Sequence, residues 1–244
     1  MEDNMRGLMM DSIDGRHVEG LDEVYAVPVP SATRSYQPVP NRQLIEHVKD
    51  QVTKMLGLPI LREEYGLSCK DQQMFGVITV DTGNEENGLA IGLGNSYNKT
   101  ISVRITSGAS VFVCSNLCFS GDATRVIRKH TRYVWRDAVR LIHESIEWSQ
   151  HYYERINYDF DVMKGQPLSD DDGYDLIGRA MGHDVLKPQQ ATIALREWKS
   201  PSHEEFLDRN TWGLYNAFTE SLKRGCGGNR MEKQAKAHQF LMAA

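Results

Sequence analysis

Eight cations crowd one stretch of the chain. Between Asn95 and His143 lie Lys99, Arg104, Arg125, Arg128, Lys129, Arg132, Arg136 and Arg140, against Asp122 and Asp137 alone. That is an excess of six positive charges inside a chain of net charge −5, so the remainder carries −11. At about 100° per residue, Arg125, Arg128, Lys129, Arg132, Arg136, Arg140 and His143 fall on one helical arc roughly 120° wide. Ile127, Val134, Ala138, Leu141 and Ile142 fall opposite. Such a helix buries one face and offers the other to an anion. Lys and Arg on one face track phosphates, and Tyr97, Tyr133 and Trp135 are near enough to stack on bases. The competing reading is internal: Glu154, Asp159, Asp161, Asp170, Asp171, Asp172 and Asp175 neutralise the stripe by folding over it.

Other residue patterns carry less chemistry. Gly88, Gly92 and Gly94 lie between two strand-like runs, whereas a nucleotide-binding turn needs its glycines between a strand and a helix. Asn95, Ser96, Asn98, Lys99 and Thr100 read as a polar hairpin tip, by turn chemistry alone or as a contact for nucleic acid. Cys114 and Cys118 lack the second ligand pair of a zinc site and read as buried thiols. Asp159/Asp161 and Asp170–Asp172 with Asp175 are the only candidates for a Mg²⁺-dependent nuclease, and helix capping accounts for them more simply. Gly-x-Ser-x-Gly and His-Glu-x-x-His are both absent. No cofactor is expected.

Around these residues, 244 amino acids of pI about 5.9 allow one large domain. Four cysteines in no disulfide spacing point to a reducing compartment, and the polar, acidic start of the chain shows no signal peptide. A soluble protein of the host cytoplasm is expected. Residues 1–40, with Pro28, Pro30, Pro38 and Pro40, read as an extended arm. Asn41 caps a helix whose stripe is Ile45, Val48, Val52, Met55 and Leu56, closed by Gly57. An antiparallel β-meander follows over about 73–119, with strands at 74–80, 88–93, 101–105 and 111–114 and a tight turn at Gly108. The basic helix then spans about 122–152. Helices over about 169–225 complete a single domain of residues 41–225, with Ser169, Pro188 and a Ser202/Glu205 capping box as start signals. Residues 226–244 form a helical tail.

The blocks Gly92-Leu93-Gly94-Asn95-Ser96-Tyr97-Asn98-Lys99 and Ser110–Gly121, with the later Thr211-Trp212-Gly213-Leu214-Tyr215-Asn216-Ala217, resemble a phage/plasmid-like protein family defined by a bacterial and phage domain of unknown function. The resemblance spans roughly 65–225. It implies a mobile-element origin and supplies no catalytic residues. In layout, a β-meander feeding a long basic helix is similar to the phage single-strand annealing recombinases, an analogy of fold alone.

The sequence therefore implies an α+β fold, a small antiparallel β-meander backed by helices with a helical C-terminal half. The expected ligand is single-stranded nucleic acid, DNA above RNA, held by the eight cations, with possible self-association through the arm and strand annealing as the outcome. The rivals are a module that docks an acidic host protein, countering a defence system, and a metal-dependent nuclease.

Overall fold

Alternation of apolar with small residues builds the centre of the molecule. In the computed structural model, which describes residues 15–112, 116–118, 126–223 and 227–243 (of 116, 117, 126–128 and 227–231 the backbone alone), the chain is α+β. Strands β1 (Arg16–Val18), β2 (Ile60–Ser68), β3 (Gln73–Val80), β4 (Asn87–Ser96) and β5 (Val103–Val111) lie side by side in chain order. The free edge of β5 is shared by β6 (Asn116–Cys118) at one end and β7 (Val126–Arg128) at the other, giving a seven-stranded sheet. All pairings are antiparallel. Leu89, Ile91 and Leu93 of β4 share the core with Val103, Ile105 and Ala109 of β5, as the period of two requires. Gly76 stands opposite Tyr65, whose ring lies where a β-carbon would be, so only glycine fits there.

Helices cover that apolar face. They are α1 (Leu21–Ala26), α2 (Asn41–Leu56), α3 (Val134–Lys164), α4 (Asp170–Gly182), α5 (Pro188–Lys199), α6 (Thr211–Leu222) and α7 (Gly227–Met242). The 31-residue α3 buries Val134, Ala138, Ile142 and Ile146 at its start and Ile156, Phe160 and Met163 at its end. It packs on β5, β7 and α2, and Phe160 in its second half meets Trp212 and Tyr215 of α6. Ser169 and Asp172 form a reciprocal capping box at α4, and Pro188 opens α5. Gly57 closes α2 in the left-handed region at φ 64°.

Several expectations are corrected. The helix expected from Asp122 begins at Val134. The β-branched Val126 and Ile127 favour extension and complete the edge of β5 instead. β4 runs on through Ser96, and Gly108 pairs with Ala90 inside β5 rather than turning the chain. Ser202 donates to the Glu197 carboxylate (2.8 Å) rather than capping a helix with Glu205, and residues Glu204–Phe206 form a single 3-10 turn. β2 was not anticipated. Within the span read as an extended arm, residues 16–26 supply β1 and α1, and Tyr36 and Val39 are buried. α7 packs against α6 and buries Ala237, His238 and Leu241.

Asn95 is the clearest departure from a hairpin tip, being fully buried. Its Nδ2 donates to the Val39 carbonyl (2.8 Å) and to Asn41 Oδ1 (2.7 Å), tying the segment before α2 to β4. Tyr97 adds a second tie, its hydroxyl accepting from the Asn41 amide at 2.9 Å. Asn95→Ala removes both donors and leaves the Val39 carbonyl buried without a partner, at a cost of about 2–3 kcal/mol. Urea unfolding is expected to show a lowered midpoint at an unchanged slope; an unchanged midpoint would contradict this account of the tie.

Candidate nucleic-acid interface

Tyr133 precedes the first residue of α3 and makes no side-chain cap. Its ring is 53% exposed and lies between two guanidiniums, Arg132 at 5.7 Å and Arg136 at 4.6 Å from the ring centre. Each exposed cation–ring contact contributes about 0.5–1 kcal/mol, and together they hold the ring in place. The positive end of the helix dipole adds to the field here.

Lys99 is carried to the same surface by a chain of rings. It sits at the turn between β4 and β5 with φ 65°, its ammonium 4.6 Å from the centre of the Tyr36 ring. Tyr36 packs against His130 with ring centres 5.5 Å apart, and the Gln37 amide donates to the His130 carbonyl at 3.0 Å. His130 stands between Lys129 and the Arg132–Tyr133 pair. Burial pushes the His130 imidazole below its ordinary pKa.

The charges of this surface remain available. Lys99, Lys129 and Arg132 make no ion pair among the described residues. Arg136 meets Asp137 at 3.2 Å and Arg140 meets Glu144 at 2.7 Å, both exposed pairs of little energetic weight. Four of the seven acids offered as counter-charges are engaged elsewhere. Asp159 meets His238 (3.2 Å), Asp170 meets Arg209 (2.9 Å), Asp172 caps α4 and Asp175 lies 4.0 Å from Arg179.

Not every cation in the sequence joins the patch. Arg104 alternates with Val103 and Ile105, so it lies on the sheet face opposite α3, its stem beside Gly94. Arg128 belongs to β7 rather than a helix, and only its backbone is described. Arg125, Cys114 and Asp122 lie outside the described residues. The continuous stripe is therefore replaced by a patch of Lys99, Lys129, Arg132, Arg136 and Arg140, with His143 held off by Gln51 at 3.0 Å. Of the three nominated aromatics, Tyr97 is buried and Trp135 packs against His47, leaving Tyr133 exposed. Tyr36 and His130 were missed, because a ring in a Pro-rich segment carries no local sign of what it will touch.

A family model described as a domain of unknown function (DUF932) matches residues 29–241. The chain belongs to this family. Neither a curated protein nor a solved structure matches it. In this DUF932 chain no group of three His, Cys, Asp or Glu side chains able to hold a metal occurs among the described residues. Cys118 is buried and makes no disulfide. Gly88, Gly92 and Gly94, read as lying between two strands, are residues of β4 itself. No described helix of this DUF932 chain is long and apolar enough to cross a membrane.

The depressed pKa of His130 has a thermodynamic consequence. The unfolded imidazole takes up a proton near pH 6.5, whereas the folded one resists it. Its contribution is full above about pH 6.5 and declines as pH falls through that value. Chemical denaturation from pH 7.5 to 5 is expected to show a shallower loss of stability in His130→Phe than in wild type. Parallel curves would remove His130 from the account.

Proposed function

We propose that this protein binds a single strand of nucleic acid along the patch at the start of α3. The observation that carries the reading is the exposed Tyr133 ring between Arg132 and Arg136, extended by Lys99 and Lys129. Cations neutralise backbone phosphates, while a fixed, exposed ring offers a face for any base to stack on. A duplex hides its base faces, so the pairing of ring and guanidinium favours an unpaired strand. Bases held by the backbone stay free to test a second strand, which makes strand annealing, in a phage or other mobile element, the biological role this reading supports. Self-association would extend the patch from one copy to the next. A protein-docking role is favoured by a separate observation, the exposed Trp148 (54%) and Tyr158 (67%) on α3.

Anisotropy of a labelled oligo(dT) across a salt series tests the proposal. Affinity is expected to fall linearly in log salt, and Arg132→Glu/Arg136→Glu to abolish binding while leaving the circular dichroism spectrum intact. Tyr133→Ala is expected to weaken binding by about 5- to 150-fold at an unchanged salt slope, the signature of a lost stack worth about 1–3 kcal/mol. Absence of binding at low salt, or full binding by the double variant, would contradict the reading.

A further inference from the structure

The far end of α3 carries a cleft of opposite charge. A space of about 530 Å³ opens between the turn that joins β3 to β4, the last turn of α3 and the segment leading into α6. Its parts are fixed. Asn84 Oδ1 accepts from the Glu86 amide (2.8 Å), setting the β3–β4 turn. The Leu168 amide donates to the Arg209 carbonyl and the Thr211 amide to the Gln166 carbonyl, both at 2.9 Å, holding the opposite wall. Trp212 and Phe206 supply ring surface, and Glu85, Glu205 and Asp208 stand at the rim. All three carboxylates are exposed and none meets a cation among the described residues.

Two further observations point to a cationic occupant. Lys164 already enters the cleft, bonded to Glu86 at 2.6 Å with its ammonium 5.7 Å from the Trp212 ring centre. The molecule thus satisfies part of this surface with a cation of its own. Asn87, on the same lining, is 3% exposed. Its Nδ2 donates to Asn157 at 2.9 Å, while its Oδ1 is buried and receives no hydrogen bond. A buried amide oxygen without a donor is costly, and a donor arriving in the cleft would relieve it.

We propose that this cleft binds a guanidinium group, on a small molecule or on an arginine side chain of a peptide. A guanidinium presents several N–H donors in one plane and stacks on indole, which suits two or three carboxylates, one amide acceptor and the Trp212 ring together. An ammonium matches the charge but not the plane. The site is independent of the nucleic-acid patch, and its negative rim repels phosphate.

The test is a ¹H–¹⁵N titration of the intact protein at low salt with agmatine, with acetyl-Gly-Arg-Gly-amide and with its citrulline counterpart, which is neutral but of the same shape. Saturable shifts are expected at the amides of residues 85–87 and 208–213 and at the Trp212 indole, with no response to citrulline. Glu205→Gln/Asp208→Asn alters only exposed side chains and is expected to weaken binding at least tenfold with the fold unchanged. Binding of both agmatine and peptide supports recognition of the guanidinium alone. Binding of the peptide only supports the same site with an arginine presented on a chain. No saturable shift with either ligand, an equal response to citrulline, or undiminished binding by the double variant overturns the proposal.

Discussion

One helix has to be buried by two different partners, and the placement of every charged surface follows from how it does so. α3 keeps apolar or small residues at helical spacing from Val134 through Ala138, Ile142, Ile146, Ser149, Tyr153, Ile156 and Phe160 to Met163. The sheet, α2 and α6 cover this stripe, with Phe160 packed on Trp212 and Tyr153 bonded to the Asn87 carbonyl. Each large apolar side chain so buried contributes about 1.5–3 kcal/mol. The helix is thereby a rod about 46 Å long. Its buried residues belong to the one core shared by the sheet and the helices.

The rod separates charge by length. Lys129, Arg132 and Arg136 gather where it begins, next to the hairpin tip that carries Lys99. Glu85, Glu205 and Asp208 gather where it ends. The chain's net charge of −5 conceals this division. Local ion pairs such as Arg42–Glu46 and Lys54–Asp50 absorb some of the remaining charges within single helices. Lys99, Lys129 and Arg132 at one end and Glu85, Glu205 and Asp208 at the other make no ion pair among the described residues, and on these the two proposals rest.

Much of this architecture was legible because it rests on local rules. Strands β3 and β4 and the first part of β5 follow from their apolar patterns, α4 from Ser169 followed by three aspartates, and α2 from its stripe and closing Gly57; Gly108 hid the continuation of β5 to Val111. The start of α3 was not legible. Residues 125–132 have helical spacing of Arg and Lys, yet Val126–Arg128 are needed as the partner of Val103–Ile105, a contact set by the sheet rather than by the segment itself. Asn95 looked like a turn residue because its type favours turns; only the approach of Val39 and Asn41 shows that it is a buried donor. Arg132, Arg136 and Arg140 share a surface whose helix begins later than their spacing implies, and Arg104, read on a strand from the start, lies on the opposite face of the sheet. The acidic cleft was invisible, since its carboxylates are brought together from segments about 120 positions apart along the chain.

The most direct test of the central claim is photo-crosslinking of the wild-type protein to a uniformly 4-thiothymidine-substituted single strand, with the attachment sites read by peptide mass spectrometry. Attachment at Tyr133 and within the peptides carrying Lys99 and Arg136 is the predicted result. Attachment confined to the sheet face of Arg104 or to the segments around Glu85 and Asp208, or none at saturating strand, would contradict it.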